Sequence, residues 1–100
     1  MEEITIDLRE VFDGDTVVIT VNGEEVWRGE SVSTDYSIGL AEIVRATSPR
    51  GAMVCEASVL NRRLTAEFET ELEGPLFLGV RIDETGQLQI EASSEPKFYL

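Results

Sequence analysis

Apolar and polar residues alternate with a period of two along most of this chain. In residues 4–8 every second side chain is aliphatic, and the same alternation returns in residues 76–82 and 88–92. Successive side chains of a β-strand point to opposite faces, so this pattern is typical of strands that bury one face. The alternation therefore predicts a protein built mainly from half-buried strands.

Turn signals cut this pattern into short segments. Asn22-Gly23 separates two apolar runs and predicts a tight hairpin turn, because both of its central positions favour positive φ. Asn61-Arg62 is expected to be the two-residue loop of a second hairpin, which places Cys55 opposite Phe68. Residues 40–46 fit a helical turn or a strand, and we interpret them as a strand. With eight or nine strands, we expect an antiparallel β-sandwich of immunoglobulin or transthyretin size, with a small β-barrel as the alternative.

Length and charge narrow the class of protein further. One hundred residues predict a single domain over 1–100. The formal net charge of −12 disfavours binding to nucleic acids and to anionic membranes, because both bind proteins through a basic surface. The first residues lack the basic and apolar stretches of a signal peptide, and no apolar run reaches the roughly 20 residues that span a bilayer. We expect a cytoplasmic protein.

The residue types present disfavour catalysis. The chain has no histidine and only one cysteine, which removes histidine-based acid–base chemistry and serine triads with histidine. Cys55 alternates with apolar residues and is expected to be buried and inert. We therefore predict no enzyme activity and no cofactor.

A row of glutamates is the strongest charged feature. The second hairpin places Glu56 opposite Glu67, and Glu69 and Glu71 continue the row. A divalent cation could bridge such carboxylates. We interpret the row instead as a solvated strand face, and we predict no metal site.

The single tryptophan raises the question of a contact surface. A regular hairpin around Asn22-Gly23 places Trp27 opposite Val18 on the outer face, and Val26 on the core side. Phe77 lies in the outward phase of its own strand. If the two strands are neighbours, Val18, Trp27 and Phe77 form an exposed apolar patch. The alternative is that Trp27 is covered by residues 31–42 or by the chain end.

Two functions stay open at this point. The first is a non-catalytic protein-interaction or self-assembly module that uses the Val18, Trp27 and Phe77 patch or a sheet edge. The second is a small-ligand binder of carbohydrate type, with Thr34, Asp35 and Tyr36 in a candidate ligand loop. We favour the first.

Overall fold

The computed structural model describes residues 1–9, 12–35, 37 and 39–93. Within these residues the chain forms eight β-strands and one short 3₁₀ turn, so the predicted β-sandwich is confirmed. Residues 42–48 form a strand, as expected. The elements are β1 (Glu2–Leu8), β2 (Asp15–Val21), β3 (Glu24–Val32), β4 (Glu42–Ser48), β5 (Gly51–Val59), the 3₁₀ turn (Leu60–Arg62), β6 (Leu64–Leu72), β7 (Leu76–Ile82) and β8 (Leu88–Ser93).

The strands form two sheets of four strands each. The first sheet has the order β4-β1-β7-β8, and the second has the order β3-β2-β5-β6. Paired neighbours are antiparallel except for β1 and β7, which are parallel. In the described residues, β3 and β6 are the two edge strands of the second sheet.

The core lies between the two sheets, and it is filled by the apolar side chains that alternate with polar ones along the strands. The aliphatic side of β1 is fully buried, as the sequence pattern predicts, and each of the strands β2, β5 and β7 contributes a matching inner face. Burying one apolar face of each sheet against the other is the main stabilising contribution to such a fold. The side chains with no exposed surface include Ile4, Ile6, Leu8, Val17, Ile19, Cys55, Ala57, Val59 and Val80.

The turn between β2 and β3 is tight, as predicted, but the register of β3 is not the predicted one. Asn22 and Gly23 have φ values of 52° and 82°, which is the conformation that this dipeptide favours. Thr20 pairs with Glu25, whereas Ile19, the residue before Thr20 in β2, pairs with Trp27. Val26 is thus an extra residue in β3, and the strand contains a β-bulge.

The bulge exchanges the faces of Val26 and Trp27. Trp27 lies on the inner face opposite Ile19 and packs against the core, whereas 38% of Val26 is exposed. The predicted pairing of Val18 with Trp27 is wrong, because a single extra residue moves every following side chain to the other face. Val18 pairs with Arg28 instead.

The hairpin formed by β5 and β6 has the predicted register. Cys55 lies opposite Phe68, Glu56 lies opposite Glu67, and the pairing runs without interruption from Gly51 to Val59. Its loop is longer than predicted, because the 3₁₀ turn is followed by Arg63 with a φ of 55°. The strands themselves stay in phase.

Candidate interaction surface

The three residues of the predicted apolar patch do not come together. Trp27 belongs to an edge strand of the second sheet and faces inward. Phe77 belongs to the first sheet, where it pairs with Thr5 on the side opposite the core. Val18 is buried at 8% exposure on the outer phase of β2. The three side chains therefore lie on different surfaces of the sandwich.

Trp27 is held by a glycine two residues further along β3. A Cβ atom at Gly29 would lie 2.7 Å from Trp27 Cζ2 and closer still to Cη2. No real Cβ tolerates such a contact, so the missing side chain of Gly29 is what makes room for the indole. Trp27 is a half-buried packing residue at the margin of the core.

The outer face next to Phe77 is covered by an arginine. Gly79 is buried, and a Cβ atom there would lie 2.7 Å from Arg9 Nε and closer to the rest of the guanidinium. Arg9 Nε is itself buried and has no hydrogen-bond partner. The surface beside Phe77 is therefore occupied by the side chain of Arg9.

The predicted ligand loop uses its polar groups internally. Thr34 is buried: its hydroxyl donates to the carbonyl of Arg9 at 2.7 Å and accepts the backbone N–H of Phe12 at 2.9 Å. Asp35 is exposed, and its Oδ1 accepts both the N–H and the hydroxyl of Ser37. Tyr36 lies outside the described residues. The hydrogen bonds of Thr34 and Asp35 thus hold the loop together.

A buried carboxylate ties the start of β2 to the loop between β5 and β6. Asp15 accepts hydrogen bonds from Asn61 Nδ2 at 2.7 Å, from Arg62 Nε at 2.8 Å and from the backbone of Asp13. Burial alone raises the pKa of Asp15, but these hydrogen bonds and the charge of Arg62 outweigh it, so the pKa is lowered. This cluster joins two chain segments that are distant in sequence.

Cys55 is fully buried, as predicted. Burial, with a contribution from the charge of Glu56, raises the pKa of its thiol to about 11. The reactive thiolate is therefore scarce at neutral pH.

The glutamate row forms as predicted on the outer face of β5 and β6. Glu56 and Glu67 are direct cross-strand partners. The pKa of Glu67 is raised by its hydrogen bond with Glu69, then by loss of hydration and by the charges of Glu69 and Glu56. Among the residues that the structure describes, no cluster of three or more metal-ligating side chains is found. The row is a crowded and exposed set of like charges.

The glutamate row lies along the edge strand β6. One hydrogen bond shows in which direction the backbone N–H and C=O groups of this strand point. Asn22 N donates to the carbonyl of Val54 at 2.8 Å, so the backbone groups of Val54 point toward β2. Backbone groups alternate in direction along an antiparallel strand. The partner of Val54 is Glu69, so the N–H and C=O of Glu69 point away from β5.

The same direction applies to every second residue of β6. The outward backbone groups belong to Thr65, Glu67, Glu69 and Glu71, and within the described residues no strand pairs with them. We call this side of Leu64–Leu72 the β6 edge. Two of its inward side chains, Ala66 and Phe68, are only half-buried and lie against the margin of the core.

A shallow open depression of about 270 Å³ lies on the outer face of β5 and β6. Ala52 and Val54 contribute to its lining on β5, and Glu69 and Glu71 do so on β6. It combines a small apolar surface with two carboxylates.

Comparison with protein-family models, with curated proteins and with solved structures found no match for this chain. In the described part of the chain, no helix has the length and apolar character needed to cross a membrane. The geometry of the described residues is therefore the basis for a functional hypothesis.

The β6 edge is the feature that sequence reasoning named only in general terms. Its signal is present in residues 64–72, which alternate except for Thr70, lack glycine and proline, and carry glutamate at 67, 69 and 71. What the sequence did not give was the position of this strand at the margin of a sheet.

Proposed function

We propose that this protein is a non-catalytic protein-interaction module that accepts an extended segment of a partner along the β6 edge. The observation that carries the proposal is the regular nine-residue strand Leu64–Leu72, which is paired on one side only in the described chain. Adding a strand to a free sheet edge is a recurrent mode of peptide recognition.

The backbone of β6 is suited to strand addition. Its pairing with β5 has no register shift, so its outward N–H and C=O groups are evenly placed. Proteins usually protect free edges with bulges, prolines or short strands. β6 has none of these three devices, and the charged side chains that also protect edges are present in it only as glutamates.

The inward side chains supply the apolar part of the contact. Ala66 and Phe68 are half-buried, so a partner strand that continues the sheet would cover their exposed sides with its own inward residues. Main-chain hydrogen bonds would provide the geometry and these apolar contacts part of the affinity.

Binding of a carbohydrate-type ligand is the less favoured function. Thr34 and Asp35 already bond to the loop and its neighbours, and Trp27 packs inward over Gly29. A stacking platform with adjacent free polar groups is what such a ligand would need.

The test uses an end-blocked nine-residue peptide that alternates threonine and valine as the probe. We expect amide resonances of residues 65, 67, 69 and 71 to shift on titration, and these amides to gain protection from hydrogen exchange. A peptide methylated on alternate backbone nitrogens is the matched probe control, and it should not bind.

Glu69→Pro is the blocking variant, because it removes an outward N–H without removing a bond to β5. Glu69→Gln keeps that N–H and should still bind. Circular dichroism shows whether the proline variant is folded. Failure of the unmodified peptide to bind, or shifts confined to β3, would overturn the proposal.

A further inference from the structure

We propose that the occupant of the β6 edge is a basic amphipathic strand, with lysine or arginine on its outward side and apolar residues on its inward side. This inference rests on the proposed function, and it names the chemical class of the partner. It follows from the charges that surround the free edge.

The outward side chains of β6 define what a partner strand would meet. Glu67 and Glu69 lie on the same side of the sheet as Glu56 of β5. Side chains of adjacent strands that lie directly opposite each other have Cβ atoms about 5 Å apart. Outward residues of an added strand would therefore lie within contact distance of Glu67 and Glu69, the two carboxylates on β6.

Between the residues that the structure describes, no ion pair compensates these charges. The ion pairs between described residues join Arg28 to Glu25, Arg50 to Glu2, Arg62 to Asp15, and Arg81 to Glu91. None of the four pairs includes a residue of the glutamate row. With eight basic against twenty acidic residues, the protein as a whole also attracts cations.

The depression on the outer face of β5 and β6 could receive a long basic side chain from an added strand. Because β6 lies between the added strand and β5, such a side chain would meet Glu69 and Glu71 before it reached Ala52 and Val54. Lysine and arginine suit this path, since their stems pack along a strand face while the charge stays hydrated beside the two carboxylates.

The same charges argue against a second copy of this chain as the occupant. If β6 paired with another β6, its outward residues would lie opposite outward residues of the same set. Three of the four are glutamates, namely Glu67, Glu69 and Glu71. Like charges directly opposite each other are unfavourable, so the edge selects a partner of opposite charge.

The test compares three end-blocked nine-residue peptides in which valine alternates with lysine, threonine or glutamate. By calorimetry at low salt, we expect the lysine peptide to bind about tenfold more tightly than the threonine peptide, and the glutamate peptide not to bind. The tenfold preference should shrink in 0.5 M salt, a concentration at which the screening length falls to about 4 Å.

Two matched double variants locate the preference. The double variant Glu67→Gln with Glu69→Gln should lose most of the preference for the lysine peptide. The double variant Glu24→Gln with Glu30→Gln changes the net charge by the same amount, but on β3, and should keep that preference. Equal loss in both variants would mean general charge attraction and would overturn the inference.

The remaining outcomes separate this inference from the proposed function. Equal binding of the lysine and threonine peptides would leave strand addition standing and overturn the basic partner. Stronger binding of the threonine peptide to the Glu67/Glu69 double variant than to the parent would mean that the glutamates protect the edge, which also overturns it. If no peptide binds, the proposed function itself fails.

Discussion

The two edge strands of the second sheet have the same length and opposite character. β3 and β6 both contain nine residues, and each is paired on one side in the described chain. The pairing of β3 with β2 shifts register twice, and Ser31 near its end has a φ of 56°. The pairing of β6 with β5 has no shift. Length alone therefore does not make an edge available, because regular spacing of the backbone groups is also needed.

The difference arises from what each strand does with its aromatic residue. β3 turns Trp27 inward at the cost of a bulge at Val26, and Gly29 provides the space for the ring. β6 keeps strict alternation, so Phe68 reaches the core margin without disturbing the backbone. Burial of the larger ring thus accompanies an irregular edge in β3.

The largest expected effect comes from removing that ring. Trp27→Ala should lower the free energy of unfolding by about 3 kcal/mol, since it deletes a side chain packed against the core. Urea denaturation measures this loss. The neighbouring Val26→Ala should change it by less than about 0.5 kcal/mol, because Val26 is on the solvent side of the bulge. If Val26→Ala destabilised the protein more than Trp27→Ala, β3 would have the regular register that the sequence predicts.

The next effect comes from filling the space under the ring. Gly29→Ala should lower the free energy of unfolding by about 2 kcal/mol, because the added Cβ overlaps the indole. Gly74→Ala is the control, since nothing lies within 4 Å of a Cβ there and its φ is not positive. Thermal unfolding compares the two. Equal stability of both variants would show that Trp27 does not lie over Gly29.

The turns that lead into the two edges should respond in opposite directions. Gly23→Val should cost about 1 kcal/mol or more, because a β-branched residue resists the φ of 82° at that position. Arg63→Gly should raise the free energy of unfolding by less than about 1 kcal/mol, since glycine relieves the positive φ but has more freedom when unfolded. Chemical denaturation tests both. A Gly23→Val variant as stable as the parent would contradict the tight turn.

The smallest effect is a pH dependence that belongs to β6. Glu25 of β3 pairs with Arg28 at 2.9 Å, whereas Glu67 of β6 meets other glutamates. In the folded chain the pKa of Glu67 lies above its ordinary value of 4.5. Between the two pKa values the folded state binds more protons, so stability falls as pH rises through the folded pKa.

The loss of stability that Glu67 causes therefore occurs above pH 4.5. It is separate from the loss of stability at acid pH that we expect from Asp15. The pKa of Asp15 is lowered below 3.8, so its contribution is present above that pH and is lost as pH falls through the folded pKa. A carboxyl-detected NMR titration should give a raised pKa for Glu67 that drops in Glu69→Gln. An unchanged value in that variant would contradict the crowding.

Local pattern predicted the strands and one of the two registers. Alternation located the core face of β1, and the β5–β6 register followed because nothing interrupts either strand. The β3 register was wrong because a bulge depends on whether Val26 or Trp27 gains more by packing on the opposite sheet. That choice is made by tertiary contacts, which no turn signal contains.

The candidate site was limited by strand order. The predicted patch placed Trp27 and Phe77 on one outer surface, yet the two residues occupy different sheets. The neighbours of a strand in its sheet cannot be predicted from the sequence of that strand. The same limit kept the β6 edge from being singled out, although its glutamates and its regular alternation were visible.

The parallel pairing of β1 with β7 has a consequence for the order in which the chain is assembled during synthesis. All four strands of the second sheet lie between Asp15 and Leu72, so they have left the ribosome before β7, which begins at Leu76. Until then β1 has only β4 as a partner, and the backbone edge that later pairs with β7 stays open. Pairings between distant segments form slowly, so the arrival of β7 is the step that closes the first sheet. A nascent chain paused before that point would expose β1 to aggregation or to a chaperone.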